Sequence, residues 1–355
     1  MHVIYSHLIA VVFAVCASYA HAQEPAKFRE QDPQDVVRIT TTLVTVPVSV
    51  KDLRGKSISD LRREDFRLYE DGVEQTIVYF EPPDAANTST ESTETSLTIA
   101  LLLDVSDSTQ FKLQQIQAAA NAFINQLGAG DRMLVIAFDK RVNVLTEATN
   151  DRSKLRAAIE RTVTGGGTSL YDAIDITLND HLSRISGRKA IVLLTDGVDT
   201  SSARGTYLGT VRDAHQLDAA IYPVQYHTYT DFADNPSRET SVTGEFGSVA
   251  HVTKSGEPAS EAYKRATLYL KLLAERTGGR FEYTDKVKNL SKSFARIASE
   301  LREQYTLGYY PKSRTTTKGE SLRQIRVDVA KPQVKIDSRR SYLYKDSPRP
   351  TKQRQ

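Results

Sequence analysis

Cysteine is almost absent from this chain: Cys16 is the only one among 355 residues. A single thiol can build neither a disulfide framework nor a cysteine-ligated metal site. An excess of one charge is missing as well, since 47 Lys and Arg stand against 44 Asp and Glu, for a formal net charge of +3. That balance gives no electrostatic argument for nucleic acid or an anionic membrane as partner. Beyond residue 22 no apolar run is long enough to cross a bilayer. Nucleotide fingerprints are missing too. Gly165-Gly166-Gly167 is not followed by Gly-Lys-Ser/Thr, and no third spaced glycine completes a dinucleotide-binding turn. His181, His215, His227 and His251 show no metal-ligand spacing.

What is present begins with an export signal. Leu8–Ala17 is apolar but short, and it runs into the small-residue pattern Ala20-His21-Ala22. The chain is therefore expected to be cleaved before Gln23 and to reside in the periplasm or outside the cell. Residues 23–34 read as a flexible polar leader, and 35–81 as a small β-rich domain of about four strands. Within it Val37–Val50 is β-branched, Gln75–Phe80 reads as one strand, and Pro47 calls for an edge or a bulge. Residues 82–96, with paired prolines and then Ser, Thr, Asn and Glu, are a linker.

From residue 97 to 304 apolar runs alternate with amphipathic ones. Leu97–Leu103, Met133–Phe138, Ala190–Thr195 and Ala219–Val224 read as buried strands. Phe111–Leu127, Lys154–Thr162, Leu170–Ser183, Val211–Leu217, Glu261–Thr277 and Val287–Glu303 read as helices, and Val142–Thr146 as an antiparallel edge strand. This alternation predicts an α/β fold, a doubly wound and mostly parallel sheet with helices on both faces. Residues 226–260 interrupt it as either a binding loop or a disordered stretch. Strands predicted at Tyr305–Tyr310, Gln324–Val329 and Ser341–Tyr344 make 305–345 a second β segment before a charged tail, 346–355. The two β segments, each short of core alone, are expected to share one sheet with the α/β domain inserted between them.

Three short strings carry the chemistry. Asp104-Val105-Ser106-Asp107-Ser108 follows the first apolar run, Gly165-Gly166-Gly167-Thr168-Ser169 opens a helical pattern, and Thr195-Asp196-Gly197 closes another apolar run. Carboxylates and hydroxyls at the ends of parallel strands are hard-oxygen ligands suited to a cation such as Mg²⁺. Taken singly, Ser106 and Ser108 could equally cap the helix that follows. Asp107, Asp172 and Asp199 read as solvated or capping carboxylates.

The order Asp104-x-Ser106-x-Ser108, Thr168, Asp196-Gly197 resembles the metal-ion-dependent adhesion site of the von Willebrand factor type A (VWA) domain, over roughly Ser96 to Glu303. The flanking strings Asp65–Gln75 and Tyr305–Pro311 resemble exported bacterial proteins of the VWFA-related, acidobacterial type. The resemblance implies a VWA (Rossmann-like) fold and a metal held by Asp104, Ser106, Ser108, Thr168 and Asp196. Ser106 and Ser108 would bind directly, Thr168 would join in the partner-bound state, and the two aspartates would act largely through waters. The ion would be Mg²⁺, with Mn²⁺ or Ca²⁺ as alternatives, and the partner a protein presenting an Asp or Glu carboxylate. In the adhesive receptors of that family, ligand binding is coupled to movement of the last helix, which here corresponds to about Val287–Glu303.

That reading makes the chain a non-enzymatic adhesion-type module. The alternative is a structural component of an envelope assembly, with a purely structural metal. Asp104 after an apolar strand also resembles the nucleophile of haloacid-dehalogenase-type phosphatases. That chemistry needs a second Asp two residues on, where Ser106 stands.

Overall fold

The computed structural model describes residues 43–83, 97–109, 112–226, 242–243, 249–250, 257–284, 286, 289–312 and 320–345. The expected signal sequence, leader and tail, and nearly all of the linker, lie outside the described residues.

The α/β part is built on β5 (Thr98–Asp104), which is buried along its whole length, as a strand covered on both faces must be. It pairs in parallel with β6 (Arg132–Phe138) on one side and β8 (Lys189–Thr195) on the other. Outward from β8 come β9 (Ala220–Tyr226) and β12 (Glu282–Thr284), both parallel, and outward from β6 comes β7 (Val142–Thr149), antiparallel. The six-stranded order is β12-β9-β8-β5-β6-β7. Ile99, Leu101 and Leu103 point to one face, under α1 (Leu113–Ile124), α2 (Arg152–Glu160) and α6 (Leu290–Glu303). Ala100 and Leu102 point to the other, under α3 (Leu170–Ile176), α4 (Tyr207–Gln216) and α5 (Ala259–Thr277). A doubly wound sheet with helices on both faces results, as expected.

The β segments form two antiparallel sheets, not one. One has the order β15-β1-β13-β4, from β1 (Val44–Asp52), β4 (Tyr79–Glu81), β13 (Tyr305–Tyr309) and β15 (Val334–Ser338). The other, β16-β14-β2-β3, comprises β2 (Phe66–Glu70), β3 (Val73–Gln75), β14 (Glu320–Val329) and β16 (Ser341–Lys345). Each joins strands from both ends of the chain around a third core of Val44, Val46, Val48, Val50, Phe66, Leu68, Leu307 and Val327. The run Gln75–Phe80 is divided, because Gln75 pairs with Leu68 in one sheet and Tyr79 with Gly308 in the other. Pro47 lies inside the sheet order, facing Thr306, but the ladder to β15 starts only at Val48, so its other side is open. Within 226–260 the backbone at Val242–Thr243 (β10) and Val249–Ala250 (β11) forms a short antiparallel pair.

Candidate functional site

In the sheet order, β5 and β8 are neighbours whose chains leave in opposite directions, β5 toward β6 and β8 toward β9. Ligand sites of open α/β sheets form at the carboxyl end of such a switch point. Asp104 is the last residue of β5 and Asp196 the first after β8.

Asp104 is fully buried and both its oxygens are engaged. Ser106 donates to Oδ1 through its backbone N–H (3.0 Å) and its hydroxyl (2.6 Å), and the Thr195 hydroxyl donates to Oδ2 at 2.6 Å. Ser106 Oγ lies 3.0 Å from Ser108 Oγ, which donates to Asp196 Oδ2 at 3.1 Å. Burial, and then the facing Asp196 carboxylate, push Asp104 up to about 7. Two carboxylates drawn together in a desolvated place, bridged only by hydroxyls, are a donor set that a cation would neutralise.

The serines do not cap the helix. α1 begins at Leu113 with Lys112 at its N-cap and no side-chain cap bond, while Thr109 closes the local turn by donating to the Ser106 carbonyl. Asp104 is equally unlike an exposed nucleophile, since hydrogen bonds occupy both of its oxygens.

The glycine string docks on this loop: Gly165 N–H donates to the Val105 carbonyl at 2.9 Å, and Ser106 bridges to Gly165. Gly167 has φ +76° and its α-carbon faces the Ser201 hydroxyl, so only glycine suits it. Thr168 follows, buried and held through its main chain by Thr200 and Ser201. Its hydroxyl takes no part in the Asp104–Ser106–Ser108–Asp196 network among the described residues. The structure thus brings four of the five expected residues into one hydrogen-bonded cluster and sets Thr168 on the adjoining loop. Asp172 and Asp199 behave as capping carboxylates. Asp172 accepts from the backbones of Ala203, Arg204 and Gly205, and Asp199 from Tyr171 N–H and the Ser202 hydroxyl.

Gln225 and Tyr263 had no sequence signal, while Thr195 and Gly197 were marked only as members of the Thr195-Asp196-Gly197 string. Thr195 orients Asp104. The Gln225 side chain on β9 donates to the Asp196 carbonyl at 2.8 Å and accepts from Thr267 at 2.9 Å. The Tyr263 hydroxyl approaches Asp196 Oδ2 at 3.5 Å. Gly197 has φ +88°, and a Cβ there would stand 2.9 Å from Leu270 Cδ1 and 3.0 Å from Ala266 Cβ. Tyr263, Ala266, Thr267 and Leu270 lie at i, i+3, i+4 and i+7, so one stripe of α5 clamps the Asp196–Gly197 turn. Helical periodicity marks such a stripe as buried but cannot say against what.

Part of the chain is similar to known proteins. The family model described as the von Willebrand factor type A domain matches residues 99–198, which include all five expected site residues. An uncharacterized protein of Synechocystis sp. is 29% identical over 169 residues, 45% of this chain; the match spans 39% of that relative's length. Among solved structures, the vWF domain of the type V pili tip protein Mfa5 from Porphyromonas gingivalis gives a TM-score of 0.43 at 13% identity, covering 59% of this chain and 95% of that one. The von Willebrand factor type A protein from Catenulispora acidiphila gives 0.44 at 11% identity, covering 84% and 73%. Proximal thread matrix protein 1 from the mussel byssus, with a zinc-occupied MIDAS motif, gives 0.44 at 14% identity, covering 62% and 49%. The match to the von Willebrand factor type A family model thus spans the strands and loops that carry the cluster.

Proposed function

We propose that this VWA domain holds a divalent cation, Mg²⁺ in the first instance, through Asp104, Ser106, Ser108, Thr168 and Asp196. The chain would then serve as an exported, non-enzymatic module that captures an Asp or Glu carboxylate of a protein partner. One observation carries the reading. Ser106 Oγ and Ser108 Oγ, the two oxygens expected to bind directly, stand 3.0 Å apart. Adjacent ligands of an octahedral Mg²⁺, at roughly 2.1 Å from the metal, are about 3.0 Å from one another, whereas around Ca²⁺ they spread to about 3.4 Å.

The hydroxyl protons already have acceptors. Ser106 gives its proton to Asp104 and Ser108 gives its proton to Asp196, which leaves oxygen lone pairs free to face a cation. Bound there, a cation would supply a positive centre able to accept a further oxygen ligand. Neutral hydroxyls leave its charge under-compensated, so an incoming carboxylate is the favoured addition. Thr168, on the adjoining loop, would complete the shell.

The test is capture of envelope proteins on the immobilised full chain. The reading expects retention in Mg²⁺, release by EDTA, and loss in the Ser106→Ala/Ser108→Ala variant. Partner retention that ignores both EDTA and the double substitution would instead assign the metal a purely structural role.

A further inference from the structure

We propose a second binding site, distant in the chain from the metal cluster, for a small ligand carrying at least two phosphate or carboxylate groups. It is a cleft of 710 Å³ where the C-terminal end of α5 meets the β15–β16 turn. That volume falls in the range of small-molecule sites, about 300–1,000 Å³.

Its wall carries Lys271 and Arg276 from α5, Arg340 from the turn between β15 and β16, and the ring of Phe281. Lys271 Nζ stands 5.6 Å from the Phe281 ring centre. None of the three cations has a carboxylate within ion-pair distance among the described residues. Neighbouring arginines differ sharply. Arg280 pairs with Glu282 and Glu300, and buried Arg339 reaches Asp218 at 3.7 Å and the His215 carbonyl. Glu275 and Asp337 also line the cleft, yet both are exposed and neither pairs with the three cations.

The helix end accounts for part of this arrangement. A basic residue in a last turn favours the helix dipole, which suits Arg276. The Ala274 carbonyl in the last turn of α5 is nonetheless already met by the Gly278 and Gly279 N–H groups, and the Thr277 hydroxyl donates to Leu273. Arg340 sits between two strands and has no such role. The turn is pressed against the helix cap, because a Cβ on Gly278 would lie 2.9 Å from Arg339 N. Arg276 and Arg340 are therefore held around one concavity by the packing of two separate elements. Like charges so held repel, and guanidinium forks match carboxylate and phosphate geometry in bidentate fashion. An anion with two charged groups spans the pair, and Lys271 adds a point charge above the aromatic wall.

Calorimetric titration of the full chain in EDTA, with pyrophosphate and separately with citrate, tests this and distinguishes phosphate from carboxylate recognition. Binding of at least one probe is expected, weakened tenfold or more in Arg276→Gln/Arg340→Gln and detectably in Lys271→Gln. It should be unchanged in Ser106→Ala/Ser108→Ala, which separates this site from the metal reading. A control pair on α2 and just beyond it, Lys154→Gln/Arg161→Gln, removes the same charge elsewhere and should bind as the parent does. Absence of binding to both probes, or equal loss in the control pair, overturns the proposal.

Discussion

At the scale of single residues, burial decides what each polar group can do. His215 on α4 is buried, with Nε2 2.9 Å from the Ser341 hydroxyl, and burial followed by Arg339 pushes it down to about 4. Its pKa is thus lower in the folded protein than the 6.5 of a free histidine. The unfolded chain gains a proton first as pH falls, so the stability tied to neutral His215 is present above pH 6.5 and lost between 6.5 and 4. At pH 5 the loss amounts to about 2 kcal/mol. Urea denaturation at pH 7 and pH 5 should show a smaller drop in a His215→Gln variant than in the parent. Identical drops would mean that His215 is protonated without penalty.

Elements explain how far the sequence could be read. The apolar run ending at Asp104 announced β5, and its complete burial is why the run is unbroken. Ala190–Thr195 did the same for β8. The short run Val142–Thr146 signalled the antiparallel β7, which extends to Thr149. Weakly patterned pieces escaped: β12 is three residues long, and β15 has the half-exposed pattern of an outer strand, so neither carries an apolar signature. Helix α4 starts at Tyr207, earlier than Val211, because Thr206 caps it by accepting from Gly209 N–H. The site was legible where ligand types cluster in sequence. It was not where support arrives from afar, as with Gln225 and the α5 stripe. Replacing Gln225 by Leu leaves the Asp196 carbonyl without its donor and should cost about 1–3 kcal/mol of stability. If the clamp also aims Asp196 at the cation, Mg²⁺ affinity should fall about tenfold. Calorimetry showing parental affinity in a folded Gln225→Leu protein would reduce the clamp to packing.

For the whole molecule, the strand pairing of the described N- and C-terminal β segments is reinforced by a buried carboxylate. Glu70 on β2 accepts from the hydroxyls of Tyr309 (2.7 Å) and Tyr342 (2.8 Å) and pairs with Arg323, uniting β2 with β13, β14 and β16. Cutting this centre strands a buried guanidinium. Glu70→Leu is expected to lower unfolding free energy by about 3–5 kcal/mol in urea titration, and a loss below about 1 kcal/mol would show the centre to be dispensable. The expected union of the two β segments was legible because neither had apolar residues enough for a core. Their division into two sheets was not, since it turns on where Thr76–Val78 crosses between them. α6 leads directly into β13, and Glu300 and Glu303 near its end meet Lys51 and Ser57 of the N-terminal segment, so polar contacts link the α/β part to the antiparallel sheets.

The central claim is that the cluster at the β5 and β8 ends is a cation site, and calorimetric titration of Mg²⁺ into the full chain tests it most directly. Saturable binding is expected, with stabilisation of about 2.7 kcal/mol at a hundredfold excess over the dissociation constant. Both should vanish in a Ser106→Ala/Ser108→Ala protein that keeps the parental circular dichroism. Equal Mg²⁺ binding by parent and variant, or none by the parent, would contradict the account.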